Sequence, residues 1–283
     1  DKDNKPAEYA EDNVPYKPKK HFPVSLKGVE KGDFTLVFGY PGSTEQYIPS
    51  YAVELITKVE NPHQIKLRDK KLKIVGADMD MDPEIRIKYA AKYAGVANYW
   101  KKWIGENRGL KKLNAIEQKK AFENDFTEWV NANPERKAKY GNILPQYEEL
   151  YKELTPFKLT QDYIWEAFYA VDMISFGRNF FELASLLNQK ATGEVMMKEI
   201  ESLNNKVQSY FKDYNAPTDK KVFAALLKMY YDNIDKAFHP SFFKEVEEKY
   251  KGDFAKYADD VYDNTMFADK TKLDKFLSKP KLS

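Results

Sequence analysis

Two rhythms of apolar residues divide the chain. Up to about residue 47 the rhythm is short. Phe34, Leu36 and Phe38 alternate with Thr35 and Val37, which predicts a strand over Phe34–Tyr40, and a shorter strand is expected at Phe22–Leu26. Pro6, Pro15, Pro18 and Pro23 exclude a helix from residues 1–31. Lys31-Gly32-Asp33 and Pro41-Gly42-Ser43-Thr44 read as turns on either side of the longer strand. After residue 47 the spacing changes to three and four. Tyr51, Ala52, Leu55, Ile56 and Val59 begin a helical run that Pro62 ends or restarts. Helices are then expected over Ile65–Asp80, Asp82–Ile104, Leu110–Asn131, Ile143–Leu154, Phe157–Gln189, Glu194–Phe211, Asp219–Ala237, Ser241–Lys249 and Lys270–Leu277. A kink is expected at Pro156, and Thr218 is the expected cap of the helix that follows it. No fixed-period repeat is present, which argues against a solenoid. The fold class expected is mainly α, an irregular multi-helix bundle over 48–283 preceded by a short β-rich segment over 1–47.

The segment Asp82–Ile104 is the most unusual of these. Asp82 can cap it, Pro83 suits the first helical position and Glu84 suits the positive end of the helix. Ile85, Tyr89, Tyr93, Val96/Ala97, Trp100 and Ile104 form one apolar seam. Beside it lie Ala91, Ala94 and Gly95, and the next turn on that side carries Asn98. Two readings are open. The small residues could admit a neighbouring helix, with Asn98 a satisfied interior amide. They could instead form a ligand pocket with Asn98 as its polar anchor.

Composition narrows the function classes. The chain is 42% hydrophobic and 32% charged, enough apolar residue to build a core. Lys and Arg number 46 against 44 Asp and Glu, so there is no basic excess of the kind nucleic-acid surfaces concentrate. No apolar run reaches the roughly 18–20 residues of a membrane span. Cysteine is absent, which excludes disulfides, thiolate metal sites and a cysteine nucleophile. His21, His63 and His239 are too scattered for metal-ligand spacing, so no metal and no cofactor are expected.

Few stretches suggest chemistry. Gly39-Tyr40-Pro41-Gly42-Ser43-Thr44 lacks the Gly-Lys-Ser/Thr ending of a phosphate loop, and Glu45 would repel a phosphate. Ser43 sits in no recognised nucleophile setting, and Asp33 reads as a turn residue. No Ser–His–Asp set stands out. Arg178 and Glu182 have the spacing of an ion pair. Asp172 and Asn179 share a face and read as groups that fix helix register, with a substrate contact as the alternative. The Lys-rich segments 66–73 and 270–281 read as solvated faces. Tyr9, Tyr16 and Tyr40 could belong to a binding surface near the head.

The passage Pro23-Val24-Ser25-Leu26-Lys27-Gly28-Val29-Glu30-Lys31-Gly32-Asp33, the apolar strand, and Gly39-Tyr40-Pro41-Gly42 resemble bacterial trypsin-like serine proteases. With Ser43-Thr44-Glu45-Gln46-Tyr47-Ile48-Pro49-Ser50, Asn61-Pro62, Ile87-Lys88-Tyr89 and Ala97-Asn98-Tyr99-Trp100-Lys101 added, the chain resembles the bacterial serine dipeptidyl-peptidase 7 and 11 family over essentially its whole length. The resemblance implies a chymotrypsin-type double barrel with an inserted helical cap. This chain would be the cap (48–283) and the barrel segment leading into it (1–47). Catalytic Asp, His and Ser would all lie outside it, and the chain, which starts with Asp1 and not Met, would be an excised or processed piece. The cap would close the cleft, and Asn98 would help bind the α-amine of a peptide substrate; Tyr99 and Trp100 continue the motif without an implied contact. The partners implied are a peptide with a free N-terminus and the missing barrel domain, with a homodimer of the full-length protein left open and no nucleic acid or membrane span. A periplasmic, cell-surface or secreted location follows from the same resemblance. A stand-alone helical interaction module without enzymatic activity is the alternative.

Overall fold

The computed structural model describes residues 1–7, 10–39 and 42–281. The chain forms two compact units, Asp1–Gln46 and Tyr47–Ser283.

In the first unit the backbone is held by local contacts. The Asn4 side chain clamps Lys17 in both directions: its amide donates to the Lys17 carbonyl (2.9 Å) and its oxygen accepts from the Lys17 N–H (2.7 Å). The turn expected at Lys31-Gly32-Asp33 is present. Gly32 has φ +105°, and the Asp33 carboxylate accepts from the Glu30 N–H at 2.9 Å. The expected strands differ from what is found. Among the described residues neither Phe22–Leu26 nor 34–39 is paired in a sheet, and Phe22, Leu26, Phe34 and Phe38 are exposed. Alternation specifies which side chains a strand would bury, but a strand also needs a neighbour to take its backbone hydrogen bonds. None is supplied among the described residues of this unit. Tyr40 and Pro41, at the end of the longer expected strand, and Tyr9 lie outside the described residues.

The second unit is helical. Helix α1 (Ser50–Leu55) passes through a π turn (Ile56–Glu60) into α2 (Asn61–Met81), so Pro62 restarts the helix at its tolerated first turn. Asp82 then breaks it and caps α3 (Pro83–Lys112), its carboxylate accepting from the Glu84 N–H at 2.8 Å. The two long helices form a hairpin packed along its length. Asn114, with φ +50°, separates α3 from α4 (Ala115–Asn131), and Asn133 caps α5 (Pro134–Tyr140). Helix α6 (Ile143–Tyr163) continues past Pro156. The break comes later, at a π turn (Ile164–Phe168) and the bend before α7 (Asp172–Gly177). A short 3₁₀ turn (Arg178–Phe180) leads into α8 (Phe181–Asn188), so the single long helix expected over Phe157–Gln189 is five pieces, the first of them the end of α6. Helices α9 (Glu194–Lys212), α10 (Ala216–Asn233), α11 (Phe242–Tyr250), α12 (Phe254–Asn264) and α13 (Lys270–Ser278) follow.

One core gathers Leu67 and Val75 of α2, Tyr89 of α3, Tyr163 and Ala167, and the face of α10 that carries Val222, Leu226 and Tyr230, closed by Phe243 and Val246 of α11. A second joins Phe176 and Phe180 to Leu203 and Val207 of α9 and Leu273 of α13. Distant carboxylates close the helix ends. Glu123 of α4 accepts from both the N–H (2.6 Å) and the hydroxyl (2.7 Å) of Ser50 at the start of α1. Thr218 does not cap α10. Asn215 does, accepting from the Thr218 N–H, while the buried Thr218 hydroxyl donates to Asp78 of α2 at 2.7 Å.

Candidate functional site

Helix α3 presents two faces. One carries the apolar seam: Tyr89, Ala97 and Trp103 are buried and Ile85, Tyr93, Val96, Trp100 and Ile104 are partly covered. Trp103 was not part of the seam read from spacing. The opposite face carries Ile87, Ala91, Ala94, Gly95, Asn98 and Gly105, all exposed. A side chain added at Gly95 or Gly105 would meet nothing within 4 Å. The small residues are therefore not there to admit a helix of this chain, and the packing reading of the stripe is not what the structure contains. Asn98 points its amide from this stripe and makes no side-chain hydrogen bond among the described residues.

What aims Asn98 outward is a clamp on the other side of the helix. The Arg68 guanidinium on α2 donates to the Val96 carbonyl (3.1 Å) and lies over the rings of Trp103 (4.6 Å) and Tyr99 (5.3 Å). Its remaining edge makes a two-point contact with Glu166, at 2.7 and 2.8 Å. Both side chains are largely buried (17% and 15% exposed), and a fork-to-carboxylate pair fixes orientation as well as distance. Lys92 adds a second tie, donating to Asp172 (2.7 Å) and to the Asp213 carbonyl (3.1 Å). The helix cannot roll without breaking one of these contacts.

Behind Lys92 lies a buried polar cluster centred on Asp219. Its carboxylate accepts from the N–H groups of Asp172 (2.8 Å) and Met173 (3.0 Å) at the start of α7, and from the hydroxyls of Tyr262 (2.7 Å) and Tyr214 (3.3 Å). Burial, then the neighbouring Asp172, push this carboxyl up from the usual carboxylate range; the Tyr262 hydroxyl and the Met173 and Asp172 N–H groups pull the other way. Burial also raises the tyrosines Tyr89, Tyr210, Tyr214 and Tyr262, so they stay protonated, and Tyr89, Tyr214 and Tyr262 donate hydrogen bonds from their hydroxyls. Asp172 is thus largely buried and salt-bridged to Lys92. Asn179 donates to the Phe176 carbonyl at 2.9 Å.

Two sequence readings are corrected. The segment 66–73 is not a solvated face throughout: Arg68 and Lys71 turn inward, Lys71 donating to the Ala170 carbonyl and lying 3.9 Å from Asp172. Leu67, Leu72 and Val75 on the same helix are buried, and their spacing placed Arg68 and Lys71 beside them. Arg178 does not pair with Glu182; its guanidinium stacks over Tyr169 (4.5 Å) and Trp165 (5.7 Å). Of the histidines, His63 contacts the Tyr163 hydroxyl at 2.9 Å and His239 the Ile234 carbonyl at 2.9 Å. Among the described residues no cluster of His, Asp or Glu could hold a metal ion, and no helix is long and apolar enough to cross a membrane.

The site is therefore a positioned hydrogen-bonding amide on a rigid helix, bordered by small side chains, with no reacting group beside it. Its amide oxygen can accept from an ammonium, and the small neighbours leave room for one. A family model described as Peptidase S46 matches residues 1–283. The chain belongs to the Peptidase S46 family. Among related S46 members, an Asp/Glu-specific dipeptidyl-peptidase of Flavobacterium psychrophilum is 41% identical over 278 residues, 98% of this chain and 38% of its own length. A dipeptidyl-peptidase 7 of Porphyromonas gingivalis is 38% identical over 93% of this chain and 36% of its own. The crystal structure of Porphyromonas endodontalis DPP11 in complex with the dipeptide Arg-Asp matches with a TM-score of 0.71 and 25% identity, over 100% of this chain and 40% of that one. The S46 chain described here thus spans under half the length of the relatives it matches.

Proposed function

We propose that this S46 chain is the helical cap, residues 48–283, and an adjoining segment, residues 1–47, of a serine-type dipeptidyl peptidase that removes dipeptides from the free N-terminus of peptides. The catalytic His, Asp and Ser belong to parts of the protein outside these residues, in a trypsin-like barrel to which the first unit contributes strands. The exposed apolar residues Phe34, Leu36 and Phe38 support this: they alternate as a strand would and lack a sheet to join. The cap closes the cleft, and the 283-residue chain alone is inactive. A periplasmic or secreted location belongs to the same proposal.

One observation carries the reading of the cap. Asn98 is exposed and unpartnered on a helix whose orientation is fixed by Arg68, Glu166 and Lys92. An exopeptidase that counts two residues from an N-terminus must hold the α-ammonium. A neutral amide oxygen can do so without bringing in a second charge to desolvate. Asn98 accepts from that ammonium in the closed enzyme. The test is Asn98→Ala in the full-length enzyme, assayed on dipeptidyl substrates with a free amine. Loss of one hydrogen bond to a charged group predicts kcat/KM lower by about ten- to a hundredfold, with the melting temperature unchanged. Unchanged kinetics remove Asn98 from the site.

A further inference from the structure

A cleft of about 700 Å³ opens beside α7 and α8, well away in sequence from the α3 face. Its walls are apolar, with Ile174, Leu183, Leu187, Met266 and Phe276 among them. Phe181, 69% exposed, stands among the residues that line it. A volume of this size falls in the range of small-molecule sites, roughly 300–1,000 Å³.

The charges of this cleft have one sign. No carboxylate lines it, and its two charged residues are Arg178 and Lys281. Neither makes an ion pair among the described residues. Arg178 lies against the rings of Tyr169 (4.5 Å) and Trp165 (5.7 Å), which hold its guanidinium at the cleft, and its N–H groups make no hydrogen bond among the described residues. Glu182, one turn along, is the carboxylate that spacing would have given it. The guanidinium turns to the aromatic rings instead and sits at the cleft.

A fixed guanidinium with free donors, beside a large apolar volume and no competing anion, selects for a ligand with the opposite arrangement. The fork geometry of the guanidinium matches the two oxygens of a carboxylate. Each methylene placed against the leucine, isoleucine and phenylalanine walls leaves water. We propose that the cleft binds a long-chain monocarboxylate, with its head on Arg178 and its tail among Ile174, Leu183, Leu187 and Phe276. Lys281 adds a second positive charge near the head. The site is independent of the amine-binding role proposed for Asn98.

The test uses the full-length protein and cis-parinaric acid, a fluorescent long-chain carboxylate. Saturable binding is expected, with displacement by palmitate. Hexadecanol, which has the same tail and no charge, should displace it at least about tenfold less well. Arg178→Gln, at an exposed position, should weaken parinarate binding by about tenfold or more. Ala184→Trp, which fills the cleft, should abolish it. Both variants should keep the dipeptidyl-peptidase turnover of the parent, which also reports that they are folded. Equal affinity for the alcohol and the acid, or an Arg178→Gln variant that binds as the parent does, would overturn the proposal. So would binding by the 283-residue chain that is absent in the full-length protein, since the cleft would then be a packing surface for the remaining polypeptide.

Discussion

Asp162, near the end of α6, should make the helical unit lose stability as pH rises through the mildly acidic range. Its side chain is 5% exposed, and its Oδ2 has no hydrogen-bond partner among the described residues. Burial, and then the negative charge of Glu60, push its carboxyl up to about 6; Lys158, whose ammonium is 3.8 Å away, only partly offsets them. The sign follows from linkage. In the unfolded chain an Asp titrates near pH 4, so below about pH 4 the group is neutral in both states and exacts nothing. As pH rises the unfolded chain ionises first, and stability falls until the folded carboxyl has also lost its proton, above about pH 6. The full difference corresponds to about 3 kcal/mol, an order-of-magnitude figure. Asp162→Asn removes the titration while keeping the shape. Urea unfolding of the two proteins at about pH 4 and about pH 8 should show them nearly equal in acid, with the variant more stable by about 2–3 kcal/mol in alkali. A variant that is less stable at the higher pH, or a wild type whose stability does not fall more steeply than the variant's, would refute the reasoning. It would mean that Lys158 and a hydrogen bond from Gln64 hold the ionised form better than burial penalises it.

Further expectations rest on other parts of the unit. Gly95→Ala adds a methyl group in open space in the interior of a 30-residue helix, so it should raise stability by about 1 kcal/mol in urea unfolding; destabilisation would reveal a contact at that face. Asp219→Ala strips four donors of their acceptor, two of them the first N–H groups of α7, and should cost about 3–5 kcal/mol, read as a large drop in melting temperature.

Much of the helical body was legible because its signals are local. The cap at Asp82, periodic apolar residues and prolines at first turns specify where helices begin regardless of what surrounds them. The misplaced features depend on partners that spacing does not name. Arg178 had a carboxylate at the right interval and chose two aromatic rings. Arg68 and Lys71 lie in a basic run that looks solvated, and only the folded chain shows Glu166 and Asp172 reaching them from about a hundred residues away. Helix α12 was passed over although Asp253 caps it and Phe254, Ala258 and Tyr262 recur at intervals of four. The alternating residues at the head name the faces of strands but not the neighbour those strands require. At Asn98 the sequence left two readings open, and the open space around Gly95 bears only on the packing one.

The carboxylates that close helix ends have a consequence for how the unit comes together. Ser50 waits on Glu123, 73 positions further on; the start of α7 waits on Asp219, 47 positions on; Thr218 and Asp78 meet across 140. The starts of α1 and α7 therefore borrow their acceptors from parts of the chain made later, and Asp78 of α2 waits on Thr218 for its partner. As the polypeptide leaves the ribosome, the hairpin of α2 and α3 is complete in length well before Thr218 exists to satisfy Asp78. Contacts this distant in sequence slow folding and bind the segments into one cooperative event. A single cut in any of these helices should release the whole unit, not a fragment of it.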